Sequence, residues 1–424
     1  MTQLAVAANQ VSGQANKSLP RRLTSVDAMR GFAALLVLLY HAHAVGIADL
    51  RGDFPWLYVA LYPIVIGFVG VHLFLVLSGF CIHLRLANQE EQTMRLPFRA
   101  FWVRRFWRLY PAYLAAIVFS VGLMFALEMW LANDWSMAHL MQMSKTTLPD
   151  LVTHLFMLHL FFPAFAMGLG NGVFWSLALE EHLYLLYSPV LWIRNKLGLT
   201  GLLAISAAVA LVWRTVTIGF FDAKPTMPIG MEQGAYFLLL QAPSRWFEWC
   251  LGAAAVEAYV GRVKLPGWCY RLSTMLGFVG VAIAASYVPL GWVLREPAWG
   301  LAFFVMINIV VTKEKRQRLA ETFKPGRWMA LLAGVGVYSY SLYLIHGPLI
   351  HTCKYIGYNL GLGPIGQFML RVAMSIMCLP LAWVFYRLFE KPFLNMGRRG
   401  SRVSTSEKGA LTTGRGGNPA KLAA

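Results

Sequence analysis

Arg30 and His41 stand eleven residues apart within the apolar run Asp27–His43. At about 100° per residue, eleven residues make close to three helical turns. Both side chains then share one face, roughly 16 Å apart along the axis. Ionisable groups are costly in an apolar setting and ask for a functional reason. A neutral imidazole at His41 can take a proton from a hydroxyl near neutral pH. The plainer reading is a topogenic arginine and a histidine bonded between helices, and Arg30 alone fits it. A second stretch, Trp175 to Tyr184, sets Glu180, Glu181 and His182 inside another apolar run. A carboxylate buried there needs a partner, and Arg or His on a neighbouring helix would serve. A third, Gly336 to His346, has small and hydroxyl residues at helical spacing and ends in an imidazole. Ser339 and Ser341 read as packing residues, whereas His346 is a candidate for chemistry.

Arg104, Arg105 and Arg108 lie among aromatics, in Phe-Trp-Val-Arg-Arg-Phe-Trp-Arg. Positive anchoring at a membrane surface explains much of this pattern. Guanidinium forks also suit phosphate oxygens, and Arg105 and Arg108 are i, i+3 neighbours on a helix. Ser78-Gly79 reads as a packing or bending site. No Gly-x-Ser-x-Gly elbow, P-loop, HExxH or paired-cysteine zinc pattern occurs, so no metal is expected. The five cysteines have no disulfide or metal spacing and read as small buried side chains.

The elements that must hold these residues are long apolar runs. The chain has 424 residues, 58% apolar and 13% charged, where a soluble domain carries about 25% charged. Unbroken runs without period-2 alternation predict an all-α polytopic membrane protein. We place ten spans, near residues 31–46, 57–82, 110–131, 173–192, 199–220, 245–260, 273–290, 298–311, 329–350 and 366–389. The net charge of +18 sits in short loops and tails, so it speaks for membrane topology and against nucleic acid. With ten spans and both termini cytoplasmic, every Arg/Lys-rich loop falls inside. Asp49, Asp53, Asp134, Asp150 and Asp222 then fall outside. The dozen apolar residues of 151–167 before Pro163 are too few to span, and read as re-entrant or interfacial. Residues 1–22 and 396–424 read as flexible basic tails around a membrane domain, 23–395. His41, Glu180 and His346 come out at similar depth, towards the outer side.

Taken together, these stretches resemble the acyltransferase 3 family of bacterial membrane acyltransferases. The likeness runs from about Leu23 to Phe393. It rests on Arg30-x10-His41, Arg105-x-x-Arg108, Phe-Leu-x-Leu-Ser-Gly-Phe ending at Phe80, Trp-Ser-Leu-x-x-Glu ending at Glu180, Tyr-Ser-x-Ser-Leu-Tyr-Leu-x-His ending at His346, and Glu390-Lys-Pro-Phe393. Leu183 stands where the family usually has an aromatic. The resemblance implies ten helices in the bacterial inner membrane. It also implies transfer of an acyl group, commonly acetyl, from cytoplasmic acyl-CoA to a sugar hydroxyl of a surface or exported glycan, lipid-linked acceptors included. On this reading Arg30, Arg104, Arg105 and Arg108 hold the CoA phosphates, and His41 is the general base. Glu180 orients His41 or pairs with an arginine; His346 donates to the oxyanion or binds the acceptor. The main rival is a secondary transporter or flippase for a glycan or small solute. It suits intramembrane charges, but no internal repetition supports it. An unrelated multispan O-acyltransferase and a non-catalytic sensor are further rivals.

Overall fold

The computed structural model describes residues 22–47, 50–89, 93–133, 147–221, 236–288 and 290–396. The expected tails fall almost wholly outside these residues, as do Asp49, Asp134 and Asp222. All regular structure among the described residues is helical. The main helices are α1 (Thr24–Ile47), α2 (Val69–Ala87), α3 (Phe98–Ala132), α4 (Phe174–Leu185), α5 (Tyr187–Phe221), α6 (Ala242–Val260), α7 (Leu272–Ala285), α8 (Trp292–Leu319), α9 (Arg327–Val337), α10 (Ser339–Asn359) and α11 (Pro364–Phe385). A further turn of π-helix, Tyr386–Glu390, follows α11.

Among the described residues, six helical stretches are long and apolar enough to cross a membrane. A seventh appears if α9 and α10, bent by 71° at Tyr338, count as one span. Each of the ten expected segments contains helix, though that expected at 273–290 is helical only to Ala285, and not each meets that test. The segment expected near 173–192 breaks between α4 and α5 at Leu186. The helix α6 carries Arg245, Glu248 and Glu257, which lowers its apolarity. At 14 residues, α7 is only about 21 Å long, short of a hydrocarbon core of about 30 Å. Residues 147–155 form a short helix, followed by turns and one 3-10 turn, His159–Phe161. No described helix there is long and apolar enough to cross a membrane.

Local chemistry explains the helix ends that position the site. The helix α1 starts under Glu314 of α8, whose carboxylate accepts the amides of Thr24 (3.1 Å) and Ser25 (2.7 Å). These are amides without a partner inside the helix, at its electropositive end. The helix α6 has Pro243 in its first turn and closes on Gly261, whose φ of 91° is open to glycine. Between α2 and α6, a methyl group on Gly79 would collide with the Trp249 carbonyl, and one on Gly252 with that of Val76. Gly31 of α1 and Gly336 of α9 make a second such crossing. Small residues let backbones approach where no apolar gain distinguishes protein from lipid.

Ionisable side chains inside the bundle are gathered into clusters. Towards one end, Arg214 of α5, Arg245 and Glu248 of α6, Arg295 and Glu296 of α8, and His72 of α2 are all buried. His72 donates through Nδ1 to Glu248 at 2.7 Å, Arg245 bonds Glu248 at 3.1 Å, and Glu296 accepts from both Arg214 and Arg295. Towards the other end, Arg194 forks onto Glu257 at 2.8 and 2.6 Å. Glu257 also accepts from Nε2 of His83 at 3.1 Å, while the Tyr187 hydroxyl bonds Nδ1 of that ring at 3.0 Å. These clusters tie α2, α5, α6 and α8 into one unit.

The 147–171 segment is held by stacked imidazoles. The rings of His154 and His159 lie parallel with centroids 3.7 Å apart, and both are fully buried. His154 Nδ1 faces Asp150, whose other oxygen accepts the Leu169 amide at 2.8 Å.

Two expectations follow. Gly252→Leu forces α2 and α6 apart and costs about 1–3 kcal/mol; an unchanged melting temperature in detergent would contradict the crossing. Burial and the adjacent His154, with a smaller push from His182, hold His159 down at about 3. The folded state then binds fewer protons than the unfolded chain below about pH 6.5, and stability falls as pH drops through that range. The melting temperature therefore decreases from pH 7 to pH 5, with a slope of at most about 1.4 kcal/mol per pH unit from this ring. His159→Phe keeps the stack and flattens that slope.

Candidate active site

Arg30 and His41 lie three turns apart on α1, as their spacing predicts. His346 lies on α10, and its Nε2 is 3.3 Å from Nδ1 of His41. The ring centroids are 5.0 Å apart and the planes nearly edge to face, at 69°. Their surroundings assign the protons. His346 Nδ1 faces the carbonyls of Leu342 (3.1 Å) and Tyr343 (2.8 Å). Only an N–H can satisfy a carbonyl, so His346 carries its proton on Nδ1 and offers a lone pair at Nε2. His41 Nδ1 faces the Val37 carbonyl at 2.9 Å, so it too bears a proton, shared between Val37 and His346. The lone pair of His41 is thereby left on Nε2, with no hydrogen-bond partner among the described residues.

A cavity of about 100 Å³ lies between α1, α2, α3, α4 and α10. Arg30, Arg105 and Arg108 line it, together with Ser78, Glu180, Tyr184 and Tyr343. Arg104 is not among the lining residues. Neither His41 nor His346 is among the lining residues; Tyr343, which lines the cavity, contacts His346. It packs against Phe74 on one side (5.8 Å) and His346 on the other (5.5 Å), and its hydroxyl is 2.5 Å from Ser176 Oγ.

Glu180 opens onto this cavity from α4. Ser78 Oγ donates to its Oε1 at 2.6 Å, and the Tyr184 hydroxyl donates to the same oxygen. Trp249 Nε1 donates to Ser78 Oγ at 3.3 Å. Among the described residues Glu180 has no ion pair with an arginine and no hydrogen bond to His41. The neighbour that orients His41 is His346. Arg105 lies over the Tyr184 ring at 5.7 Å and the Phe101 ring at 5.9 Å. Near Arg30 and Arg108, buried Glu390 accepts from Ser341 Oγ at 2.6 Å, beside the start of α10. Among the described residues, no group of three or more His, Cys, Asp or Glu side chains is placed to hold a metal ion.

Sequence spacing pointed to Arg30, His41, Glu180 and His346 but missed their companions. Tyr184 follows Glu180 by one turn, a signal open to reading. Ser78, expected to serve packing, instead anchors Glu180, and that depends on the α2–α4 approach.

The model of a family described as an acyltransferase domain, acyltransferase 3, matches residues 23–387. The chain belongs to the acyltransferase 3 family. Among curated relatives, this acyltransferase 3 chain is similar to the peptidoglycan O-acetyltransferase OatA of Listeria monocytogenes. The two are 24% identical over 348 residues, 77% of this chain and 49% of the relative. It is similar also to the O-acetyltransferase OatA of Staphylococcus aureus, with 23% identity over 92% of this chain and 60% of the relative. The putative peptidoglycan O-acetyltransferase YrhL of Bacillus subtilis is 24% identical over 89% of the chain and 56% of its own length. The chain thus spans about half to three-fifths of the curated relatives it matches. No solved structure matches it.

The proton assignment is open to test. With ¹⁵N-labelled histidine, both His41 and His346 are expected as the Nδ1–H form at neutral pH. His346→Leu removes one of the two acceptors at His41 and raises its Nε2–H population. A wild-type His41 found mainly as Nε2–H would overturn the arrangement.

Proposed function

We propose that this protein is a membrane O-acyltransferase that moves an acyl group, acetyl first among them, from cytoplasmic acyl-CoA to a hydroxyl of a cell-wall or exported glycan. The observation that carries the reading is the paired imidazoles of His41 and His346, placed beyond one end of a cavity whose lining holds three arginines. The acetyltransferase names of the relatives support the acyl group and a glycan acceptor.

In this scheme the ten helical segments lie in the inner membrane of a bacterium, with both termini inside. The basic loops then face the cytoplasm. Arg30, Arg105 and Arg108 meet the phosphates of the donor, and Arg104 adds charge at the same mouth. A cavity of about 100 Å³ has room for about three waters. It takes the thin thioester end of the donor and leaves the nucleotide outside. The Tyr343 ring moves aside for the thioester to reach the histidines.

His41 Nε2 takes the proton of the acceptor hydroxyl. The freed oxygen attacks the thioester carbonyl, the carbon–sulfur bond breaks, and the imidazolium returns the proton to the leaving thiolate. His346 accepts the Nδ1–H of His41 and steadies the imidazolium, since a charge forming on His41 strengthens that hydrogen bond. Glu180 sets the potential of the cavity against its arginines while Ser78 and Tyr184 fix its position.

Purified protein incubated with radiolabelled acetyl-CoA and a glycan acceptor tests this. His41→Ala lowers transfer by at least about 10²-fold without changing expression or melting. Arg108→Ala raises KM for the donor more than it lowers kcat. A well-folded His41→Ala enzyme with full activity would remove the base. Wild-type protein that neither binds nor consumes acetyl-CoA would remove the whole scheme. Mass spectrometry of the surface glycan in a deletion strain, read as the loss of one acyl mass per repeat, names donor and acceptor together.

A further inference from the structure

Glu180 and Glu181 are adjacent on α4 and open onto different spaces. Glu180 faces the cavity already described, whereas Glu181 lies at the floor of a second one. This groove, of about 430 Å³, is walled by α3, the 156–161 segment and the start of α6. The Glu181 side chain is only 8% exposed, and its carboxyl makes no hydrogen bond or ion pair among the described residues. Two of the other polar side chains of the groove are engaged, while Tyr110 also lines it. His182 Nε2 donates to the Met157 carbonyl at 2.9 Å, and Gln241 donates to that of Leu160. Trp102 also lines the groove, and its indole N–H is buried without a partner. An acid at a largely buried position, left without a hydrogen bond, costs free energy that a ligand can recover.

The rim tells what kind of ligand fits. Phe156, Phe161 and Leu185 are 67%, 54% and 63% exposed. They flank a groove at the side of a bundle of long apolar helices, where hydrocarbon chains would cover them. We propose that the groove is a lateral binding site for an aminophospholipid. Its ammonium meets Glu181, and a chain lies along Phe156, Phe161 and Leu185. Opposite charge selects the head, and the apolar rim selects a lipid over a soluble amine. The site is separate from the proposed acyl transfer and does not depend on it.

Native mass spectrometry of the purified full chain, titrated with dioleoylphosphatidylethanolamine or dioleoylphosphatidylcholine, tests this. The two lipids are both zwitterionic and differ in the N–H donors of the head. Wild-type protein is expected to hold the ethanolamine lipid about tenfold more tightly. Glu181→Leu brings the ratio to near one, and Leu185→Trp, which fills the groove, weakens both lipids. Equal wild-type affinities, or a preference that survives Glu181→Leu, would overturn the proposal. So would binding untouched by Leu185→Trp, or displacement of the phospholipid by an isoprenoid-linked saccharide. If Glu181→Leu fails to fold, the wild-type ratio and Leu185→Trp still decide.

Discussion

An ionisable side chain taken out of water must find its counterpart inside the protein, and this bundle is built under that constraint. Removing a charge from water costs several kcal/mol unless pairing and hydrogen bonds repay it. Arg214, Glu296, Arg295, Arg245, Glu248 and His72 meet that demand as one cluster, and Arg194, Glu257 and His83 as another. Each cluster draws on at least three helices. The side chains that would be hardest to bury therefore fix how α2, α5, α6 and α8 sit against one another. Arg30, Arg105 and Arg108 differ. They line a cavity, and a cavity is where an incoming anion can supply what the protein withholds.

The same constraint governs backbone amides. A helix that starts inside the bundle leaves its first N–H groups bare. Two carboxylates from distant parts of the chain attend to such starts. Glu314 holds the first amides of α1, and Glu390 lies against Ser341 in the first turn of α10. These are the two helices that carry His41 and His346. The positions of the two imidazoles thus rest on acids that never touch them.

Much of this was legible in the residues. The eleven-residue spacing put Arg30 and His41 on one helix face, and the apolar runs marked the helical segments. The likeness to acyltransferase 3 proteins held across residues 23–387. What periodicity could not supply was lateral placement. Depth along a helix axis follows from counting, but the partner of a side chain follows from which helices touch. Hence His41 meets His346, whereas Glu180 turns to Ser78 and Tyr184. Arg104 looked equivalent to Arg105 in the sequence. One residue of rotation, about 100°, leaves it out of the cavity lining. The break at Leu186 and the 71° bend at Tyr338 also escaped, since neither site carries a proline or glycine at the break itself.

The contact between Glu390 and Ser341 also sets an order of assembly. A chain made from its amino terminus has α1 and α10 synthesised before the acid at the end of α11 exists. Until α11 inserts and its final π-helical turn swings against α10, the first turn of that helix lacks this carboxylate. The ribosome must therefore deliver residue 390 before the paired rings, 44 and 349 positions earlier, rest on a completed support.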